Sequence, residues 1–150
     1  MKGLDPDSRT RWGTAWIAMA VAVALHVTDE ALTDFLPFYN RLVLTISDAI
    51  PWFPFPTFTF AVWLMGLIAL IVVLFALTPF VFRGRKWMCY LSYTLGVIMV
   101  GNAIAHISAS IHWGIWAPGV YSSPLVLAAA LYLIFSTRRA QLGMTTTRDA

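Results

Sequence analysis

The sequence predicts an all-α integral membrane protein, a bundle of four transmembrane helices with an interfacial amphipathic helix between the first two spans. Two observations predict this class. Of the 150 residues, 59% are hydrophobic and 11% are charged, whereas a soluble domain has about 25% charged residues. The apolar residues also form four continuous stretches, unlike the short alternating segments of a membrane barrel. Lipid is therefore expected to surround most of the chain.

Each apolar stretch is long enough to cross a bilayer, for which a helix needs about 17–25 residues. Their predicted bounds are 12–36, 57–82, 87–110 and 119–136. Together they form one transmembrane domain, 12–136, between an N-terminal segment, 1–11, and a tail, 137–150. The first stretch also has the basic-then-apolar pattern of a signal peptide, but the polar cluster at its end favours a retained helix.

The connection between the first two spans is predicted to contain an amphipathic helix. Apolar residues recur there at helical spacing, at Tyr39, Leu42, Val43, Ile46 and Ile50. This pattern indicates a helix over residues 39–50 that lies at the membrane interface. Prolines at positions 51, 54 and 56 then end it.

The basic residues predict the orientation of the chain. Four crossings put both termini and the loop 83–86 on one side of the membrane. That side holds nine of the ten Lys and Arg residues, namely Lys2, Arg9, Arg11, Arg83, Arg85, Lys86, Arg138, Arg139 and Arg148. Because cytoplasmic loops carry the excess of Lys and Arg, both termini are predicted to be cytoplasmic. The basic residues serve topology on this interpretation, so no nucleic-acid partner is predicted.

Two spans carry polar clusters, which mark functional sites because ionisable groups are costly in lipid. In the first span, His26 is followed three and four residues later by Asp29 and Glu30. Both spacings place side chains on one helix face. In the third span, Asn102 precedes His106 by four residues.

The two clusters are predicted to lie at the same depth. His26 is near the outer end of an outward-going helix. His106 is 19 residues beyond Trp87 on a second outward-going helix, which is roughly 28 Å at about 1.5 Å per residue. Their shared position predicts one site in the outer half of the bundle.

Two imidazoles and two carboxylates are suitable ligands for a divalent transition metal such as zinc, iron or manganese. The predicted ligands are His26, Asp29, Glu30 and His106, and such a metal could activate water or polarise a carbonyl. Without a metal, Glu30 could act as a general acid beside either imidazole. The predicted catalytic residues are therefore His26, Glu30 and His106, with Thr28 and Asn102 as neighbours that orient them.

These residues resemble a family of small bacterial membrane proteins named for an HXXEE motif. The stretch from His26 to Glu30, with the letters HVTDE, is similar to that motif with Asp29 in place of the first glutamate. The pair Asn102 and His106 matches an asparagine and histidine of the family at the same spacing.

The family also has a Pro-Gly at the start of its last span, which Pro118 and Gly119 match. Trp116 stands where the family has a tyrosine, and Ser122 stands where it has a threonine. Trp116 lacks the phenol of that tyrosine, and Tyr121 could supply one. The resemblance covers roughly residues 15–135. It implies a bacterial inner-membrane protein with a shared site at His26, Asp29, Glu30, Asn102 and His106, and names no substrate.

The predicted function is a membrane-embedded enzyme, with or without a metal, that acts on a lipid or another hydrophobic small molecule. One alternative is a proton-coupled transporter, which also places ionisable groups in spans but predicts a polar route to the cytoplasm. The other is a small-molecule-binding membrane protein in which the polar groups hold helices together. Substrate, reaction type and oligomeric state stay open.

Overall fold

A computed structural model describes residues 5–52 and 54–146. Lys2 and Arg148, which contribute to the predicted orientation, lie outside the described residues, as does the end of the predicted tail. Over the described residues the chain forms five α-helices and no strand. They are α1 (Pro6–Leu32), α2 (Phe35–Ala49), α3 (Phe60–Phe82), α4 (Trp87–Trp113) and α5 (Ser123–Thr146).

Among the helices of the described residues, α1, α3, α4 and α5 are long and apolar enough to cross a membrane. This confirms the predicted all-α bundle of four spans. The shorter α2 separates the first two spans and begins at Phe35, four residues earlier than the predicted 39. On α3, Leu74 and Val81 are buried and most other side chains are exposed, as expected for a helix that faces lipid.

Asp5, Pro6 and Asp34 mark the two ends of α1. Asp5 caps its N-terminus by accepting a hydrogen bond from the Ser8 amide at 3.0 Å, and Pro6 fixes the first helical φ. The helix ends at Leu32 rather than at the predicted 36, because Asp34 adopts a left-handed φ of 56°. The chain turns there and α2 begins at once.

The connection from α4 to α5 is a compact turn over residues 114–122. Gly119 has a φ of 79°, which a glycine adopts without steric cost. As a result α5 begins at Ser123 instead of the predicted 119, and it continues to Thr146, past the predicted 136. The turn lies beside the last turns of α1.

Packing places α1 between α3 and α5, and α4 against α5. Trp12 and Trp16 of α1 are wholly buried. Their indole N–H groups donate to the Ser92 hydroxyl of α4 at 3.1 Å and to the Leu74 carbonyl of α3 at 2.8 Å. Because Trp12 meets Ser92 at one end and His26 approaches His106 at the other, α1 and α4 run parallel.

Candidate metal centre

Among the described residues, His26, Glu30 and His106 form a buried group of potential metal ligands whose ligand atoms lie within 4.8 Å of one another. Glu30 Oε1 is 3.5 Å from His26 Nε2 and 3.2 Å from His106 Nε2. The two rings are nearly perpendicular, with centroids 4.9 Å apart. The residues expose only 2%, 5% and 7% of their surface, so bulk water hardly reaches the centre.

The helices bring the three side chains together. His26 and Glu30 are one turn apart on the last turns of α1, and His106 lies two turns before the end of α4. The sequence prediction that the clusters of the first and third spans meet is confirmed for these three residues.

The hydrogen bond of His106 sets its tautomer. Its Nδ1 is 2.5 Å from the carbonyl oxygen of Pro118. A carbonyl oxygen only accepts, so Nδ1 must carry the hydrogen. In the neutral ring, Nε2 is then left with a lone pair directed at Glu30.

The tautomer of His26 follows from the hydrogen bonds of Ser122. The Ser122 hydroxyl donates its one hydrogen to Asp29 Oδ2 at 2.7 Å. It therefore accepts from His26 Nδ1, also at 2.7 Å, and Nδ1 carries the hydrogen. The Ser122 backbone N–H donates to the same Asp29 oxygen at 2.8 Å. His26 Nε2 is buried and has no hydrogen-bond partner among the described residues.

Three lone-pair-bearing atoms thus face one another, namely the two Nε2 atoms and Glu30 Oε1. Asn102 Nδ2 lies 3.5 Å from His106 Nε2, whereas His26 Nε2 has no hydrogen-bond partner among the described residues. Buried acceptors without a donor are costly, so a proton or a metal ion between the three atoms would stabilise this arrangement. Ligand atoms about 2.0–2.1 Å from a tetrahedral zinc ion lie about 3.3 Å apart. The two Nε2–Oε1 separations, 3.5 and 3.2 Å, are close to that spacing, and all ligand atoms of the group lie within 4.8 Å of one another.

The second ring nitrogens also fit a metal site. Metal-binding histidines usually donate their other N–H to a carbonyl or, directly or in relay, to a carboxylate. His106 donates to the Pro118 carbonyl, and His26 is linked through Ser122 to Asp29. The residues present could therefore hold a metal ion with two imidazoles and one carboxylate.

Asp29 has a different place from the one predicted for it as a ligand. It lies outside the ligand group, because its Oδ2 accepts both hydrogen bonds from Ser122. It orients His26 through that serine. Thr28 does not reach the centre either; it is exposed and donates to the Ala24 carbonyl of its own helix at 2.9 Å.

Asn102 lies beside the centre, as predicted. Its Nδ2 is 3.5 Å from His106 Nε2, and its Oδ1 is buried with no partner among the described residues. The amide is thus placed to hydrogen-bond a molecule at the centre. Trp116 and Tyr121 are exposed and stack on each other, with centroids 5.4 Å apart. The structure does not bring this pair into the buried group.

A cavity of about 400 Å³ adjoins Glu30. It lies between the end of α1, α2 and the start of α3, and its aromatic lining consists of Phe35, Phe58, Phe60 and Trp63. Phe35 also contacts the His106 ring, with centroids 5.4 Å apart. Glu30 of the centre and these aromatic side chains therefore line the same cavity.

Several site residues escaped sequence reasoning. Ser122 entered only as a motif match, and Thr33 and Phe35 did not enter. The Thr33 hydroxyl accepts from the Gly119 N–H at 3.1 Å and donates to the Asp29 carbonyl at 2.7 Å, so it ties the α4–α5 turn to α1. Thr33 follows Asp29 by four residues, which is the one sequence signal that could have pointed to it.

Comparison with known proteins gives no relative. No family model, curated protein or solved structure matches the chain.

Proposed function

We propose that this protein is a membrane-embedded metalloenzyme whose centre consists of His26, Glu30 and His106. The observation that carries the proposal is the convergence of three buried lone pairs, with both Nδ1 hydrogens committed elsewhere. Two histidines and one carboxylate are the ligands of catalytic zinc sites and of non-haem iron sites, which leave coordination positions open for water or substrate. Zinc, iron and manganese are the candidate ions.

A bound metal would supply a Lewis acid or a water molecule of lowered pKa. The chain itself contributes the rest. The Pro118 carbonyl and the Ser122–Asp29 pair hold the imidazoles in one tautomer, Asn102 offers a hydrogen bond, and the buried setting limits access of water.

We propose an amphiphilic substrate, a lipid or another hydrophobic small molecule, that reaches Glu30 through the aromatic cavity. Aromatic walls suit an apolar body, while Asp34 and Asn40 place polar groups in the same lining. Lateral access from the membrane fits the exposed apolar surface of α3 at the cavity mouth.

We also propose that both termini are cytoplasmic in a bacterial inner membrane, which puts the centre in the outer half. The resemblance to HXXEE-motif proteins stays a proposal. It is supported by the meeting of its three motifs, since His26, His106 and Pro118 contact one another or their neighbours at one site.

A proton-coupled transporter is the weaker alternative. Such a protein needs a polar route from the centre to the opposite face. The buried residues of α1 between the centre and Trp16 are apolar, namely Met19, Ala20, Ala22 and Val23. Those of α5 facing the same core are Val126, Ala129, Ala130 and Leu133. This layer favours a closed pocket.

The test is metal content. Protein purified in detergent and reconstituted in turn with zinc, iron and manganese is expected to retain about one equivalent of one of these ions per chain. His26→Ala and His106→Ala should lose it. His112→Ala is the matched control, because His112 is exposed and lies outside the ligand group, and it should retain the metal. Folded wild-type protein that binds none of the three ions would overturn the proposal.

The catalytic role of Glu30 is tested separately, by measuring lipid turnover. Glu30 is the single glutamate of the chain, and Glu30→Gln keeps its shape while removing the charge. A photoactivatable fatty acid should cross-link to cavity residues in both forms, whereas turnover of membrane lipid extract by the metal-loaded protein should stop in the variant. Equal turnover in both would exclude Glu30 from the chemistry. Asp48→Asn, on the exposed end of α2, is the charge-matched control.

A further inference from the structure

A second cavity lies at the opposite end of the bundle from the candidate metal centre. It has a volume of about 460 Å³ and is formed by the first turns of α1 and the last turns of α5. Its lining residues are Ser8, Arg11, Tyr132, Phe135, Ser136 and Arg139. The metal centre lies on the last turns of α1 instead, so the two sites are separate.

Two guanidinium groups line this cavity. Over the described part of the chain, neither Arg11 nor Arg139 forms an ion pair with a carboxylate. Two guanidinium groups in one groove repel each other, and an anion between them removes that repulsion. Guanidinium groups bind phosphate through paired, charge-assisted hydrogen bonds.

One lining residue also carries an uncommitted hydroxyl group. Ser136 is 7% exposed and lines the cavity, and its hydroxyl makes no hydrogen bond to any described residue. The neighbouring Thr137 shows the usual alternative, since its hydroxyl donates to the Leu133 carbonyl at 2.7 Å. Ser136 is therefore free to donate to a ligand in the cavity.

The apolar part of the lining lies towards the middle of the membrane. Tyr132 precedes Arg139 by seven residues, which is about 10 Å along a helix. Phe135 and Tyr132 are 59% and 43% exposed to the surroundings of the bundle. The groove is thus cationic at its rim and aromatic below, which is the order of a phospholipid, with headgroup first and acyl chains next.

We propose that this groove is a binding site for an anionic phospholipid. The lipid phosphate lies between Arg11 and Arg139, the Ser136 hydroxyl donates to a phosphate or glycerol oxygen, and the acyl chains run along Phe135 and Tyr132. Basic pockets between transmembrane helices on the cytoplasmic side bind acidic headgroups in this way. The site requires neither the metal centre nor an enzymatic activity.

The test is lipid titration of the delipidated full-length protein in detergent, with thermal unfolding as the readout. Phosphatidylglycerol is expected to raise the Tm in a saturable manner, and phosphatidylcholine with the same acyl chains is not. Arg11→Gln combined with Arg139→Gln should weaken the apparent affinity for phosphatidylglycerol about tenfold or more, because two charged hydrogen-bond donors are lost. Ser136→Ala should give a smaller loss, about threefold.

The matched control combines Arg85→Gln with Arg138→Gln, which removes two exposed cations from the same end of the bundle without touching the groove. It should bind phosphatidylglycerol as the wild type does. Equal losses in the two double variants would reduce the effect to general surface charge and overturn the proposal. If millimolar inorganic phosphate raised the Tm as much as phosphatidylglycerol does, the site would bind a free anion rather than a lipid, and the proposal would also be overturned. Circular dichroism of each variant verifies that it folds.

Discussion

At the scale of single residues, the chemistry of the candidate centre is set by groups that do not point into it. The Pro118 carbonyl and the Ser122 hydroxyl each accept from a Nδ1 atom, which leaves both Nε2 atoms as acceptors. With other partners either ring could present an N–H to Glu30, and the centre would then satisfy itself with hydrogen bonds. The orienting groups therefore favour a cation or a proton between the two Nε2 atoms and Glu30.

Ser122→Ala tests this role. The substitution removes the bridge between His26 and Asp29, so the His26 ring loses its fixed tautomer. Loss of such an orienting partner typically weakens metal binding about 10–100-fold. Competition with a chelator measures the change, and Ser122→Thr, which keeps the hydroxyl, should restore affinity. Ser108→Ala, at an exposed position of α4, is the control. Equal affinities for the Ser122 and Ser108 variants would contradict the assignment.

Gly119→Ala tests the close approach of the α4–α5 turn to the centre. A Cβ atom at Gly119 would lie 2.8 Å from His106 Cε1 and 3.1 Å from Glu30 Cγ, and the φ of 79° disfavours a side chain. The left-handed conformation alone costs about 1–2 kcal/mol. We expect a lower Tm in detergent together with loss of bound metal.

Gly101→Ala is the matched glycine control. It lies within α4, and apart from the adjacent backbone of that helix no atom of a described residue lies within 4 Å of an added Cβ. Alanine in a helix is favoured over glycine by about 0.5–1 kcal/mol, so this variant should be as stable as the wild type or more so. A Gly119 variant with unchanged metal content and Tm would contradict the described approach.

Sequence reasoning identified His26, Glu30 and His106 because charged side chains in an apolar span stand out. It could not separate Asp29 from Glu30 as ligands, since both share a helix face with His26. The difference is their reach and partner: Glu30 extends to the imidazoles, whereas Asp29 meets Ser122. The Pro118 carbonyl is a backbone group, and no residue pattern signals which carbonyl a ring will contact.

At the scale of helices, α1 is the element on which the bundle depends. Small residues along it, Ala15, Ala20 and Ala22, are buried and allow neighbouring helices to approach closely, as is common in membrane bundles. Its two buried tryptophans bond to α3 and α4. Polar contacts thus join α1 to α4 at both ends, through Trp12 with Ser92 and through Glu30 with His106.

A double-mutant cycle of Trp12→Phe and Ser92→Ala tests the hydrogen bond between α1 and α4 near the start of both helices. The indole N–H donates to the Ser92 hydroxyl, and both residues are wholly buried. Interhelical hydrogen bonds in membranes contribute about 0.6–2 kcal/mol, which should appear as coupling in unfolding by denaturing detergent. Trp87→Phe, at an exposed position, should show no coupling to Ser92→Ala. A coupling free energy of zero between Trp12→Phe and Ser92→Ala would contradict this hydrogen bond.

Asn40→Ala tests the hydrogen bonds that join α2 to the segment before α3 at the cavity. The Asn40 amide donates to the Phe58 carbonyl at 2.8 Å and accepts from the Phe58 N–H at 3.0 Å. Without it the chain leading into α3 should open more often, so hydrogen exchange over residues 54–59 should become faster while metal content is unchanged. Thr45→Ala, which removes only a bond to the Arg41 carbonyl on the same helix, is the control. An unchanged rate of hydrogen exchange over residues 54–59 would contradict this role of Asn40.

The four spans could be predicted because lipid demands long apolar helices, but the end of α1 and the start of α5 could not. Neither glycine nor proline marks the end of α1. The break at Asp34 coincides with the bonds of Thr33 to Asp29 and to Gly119, and the second of these joins residues 86 positions apart. The start of α5 depends on the same turn. Contacts distant in sequence set both ends, so local patterns missed them.

At the scale of the whole molecule, the bundle has a different polar site at each end. One end carries the acidic and imidazole groups of the candidate centre beside α2. The other carries the basic groove between α1 and α5 together with most of the Lys and Arg residues. Apolar residues fill the core between them, which separates the two sites.

The orientation of the molecule decides which face each site meets, and reporter fusions test it. Of the eight described Lys and Arg residues, all except Arg41 are at the end of the bundle where α1 begins and α5 ends, and the positive-inside rule predicts that this end is cytoplasmic. A fluorescent protein fused after Ala150 should therefore fold and fluoresce, whereas alkaline phosphatase inserted in the connection 50–57 should be active only because it is exported. Replacing Arg83, Arg85 and Lys86 with glutamine should reduce this bias. The reverse pattern in the unmodified chain would put the candidate metal centre on the cytoplasmic side and the basic groove in the outer leaflet, and it would contradict the proposed orientation.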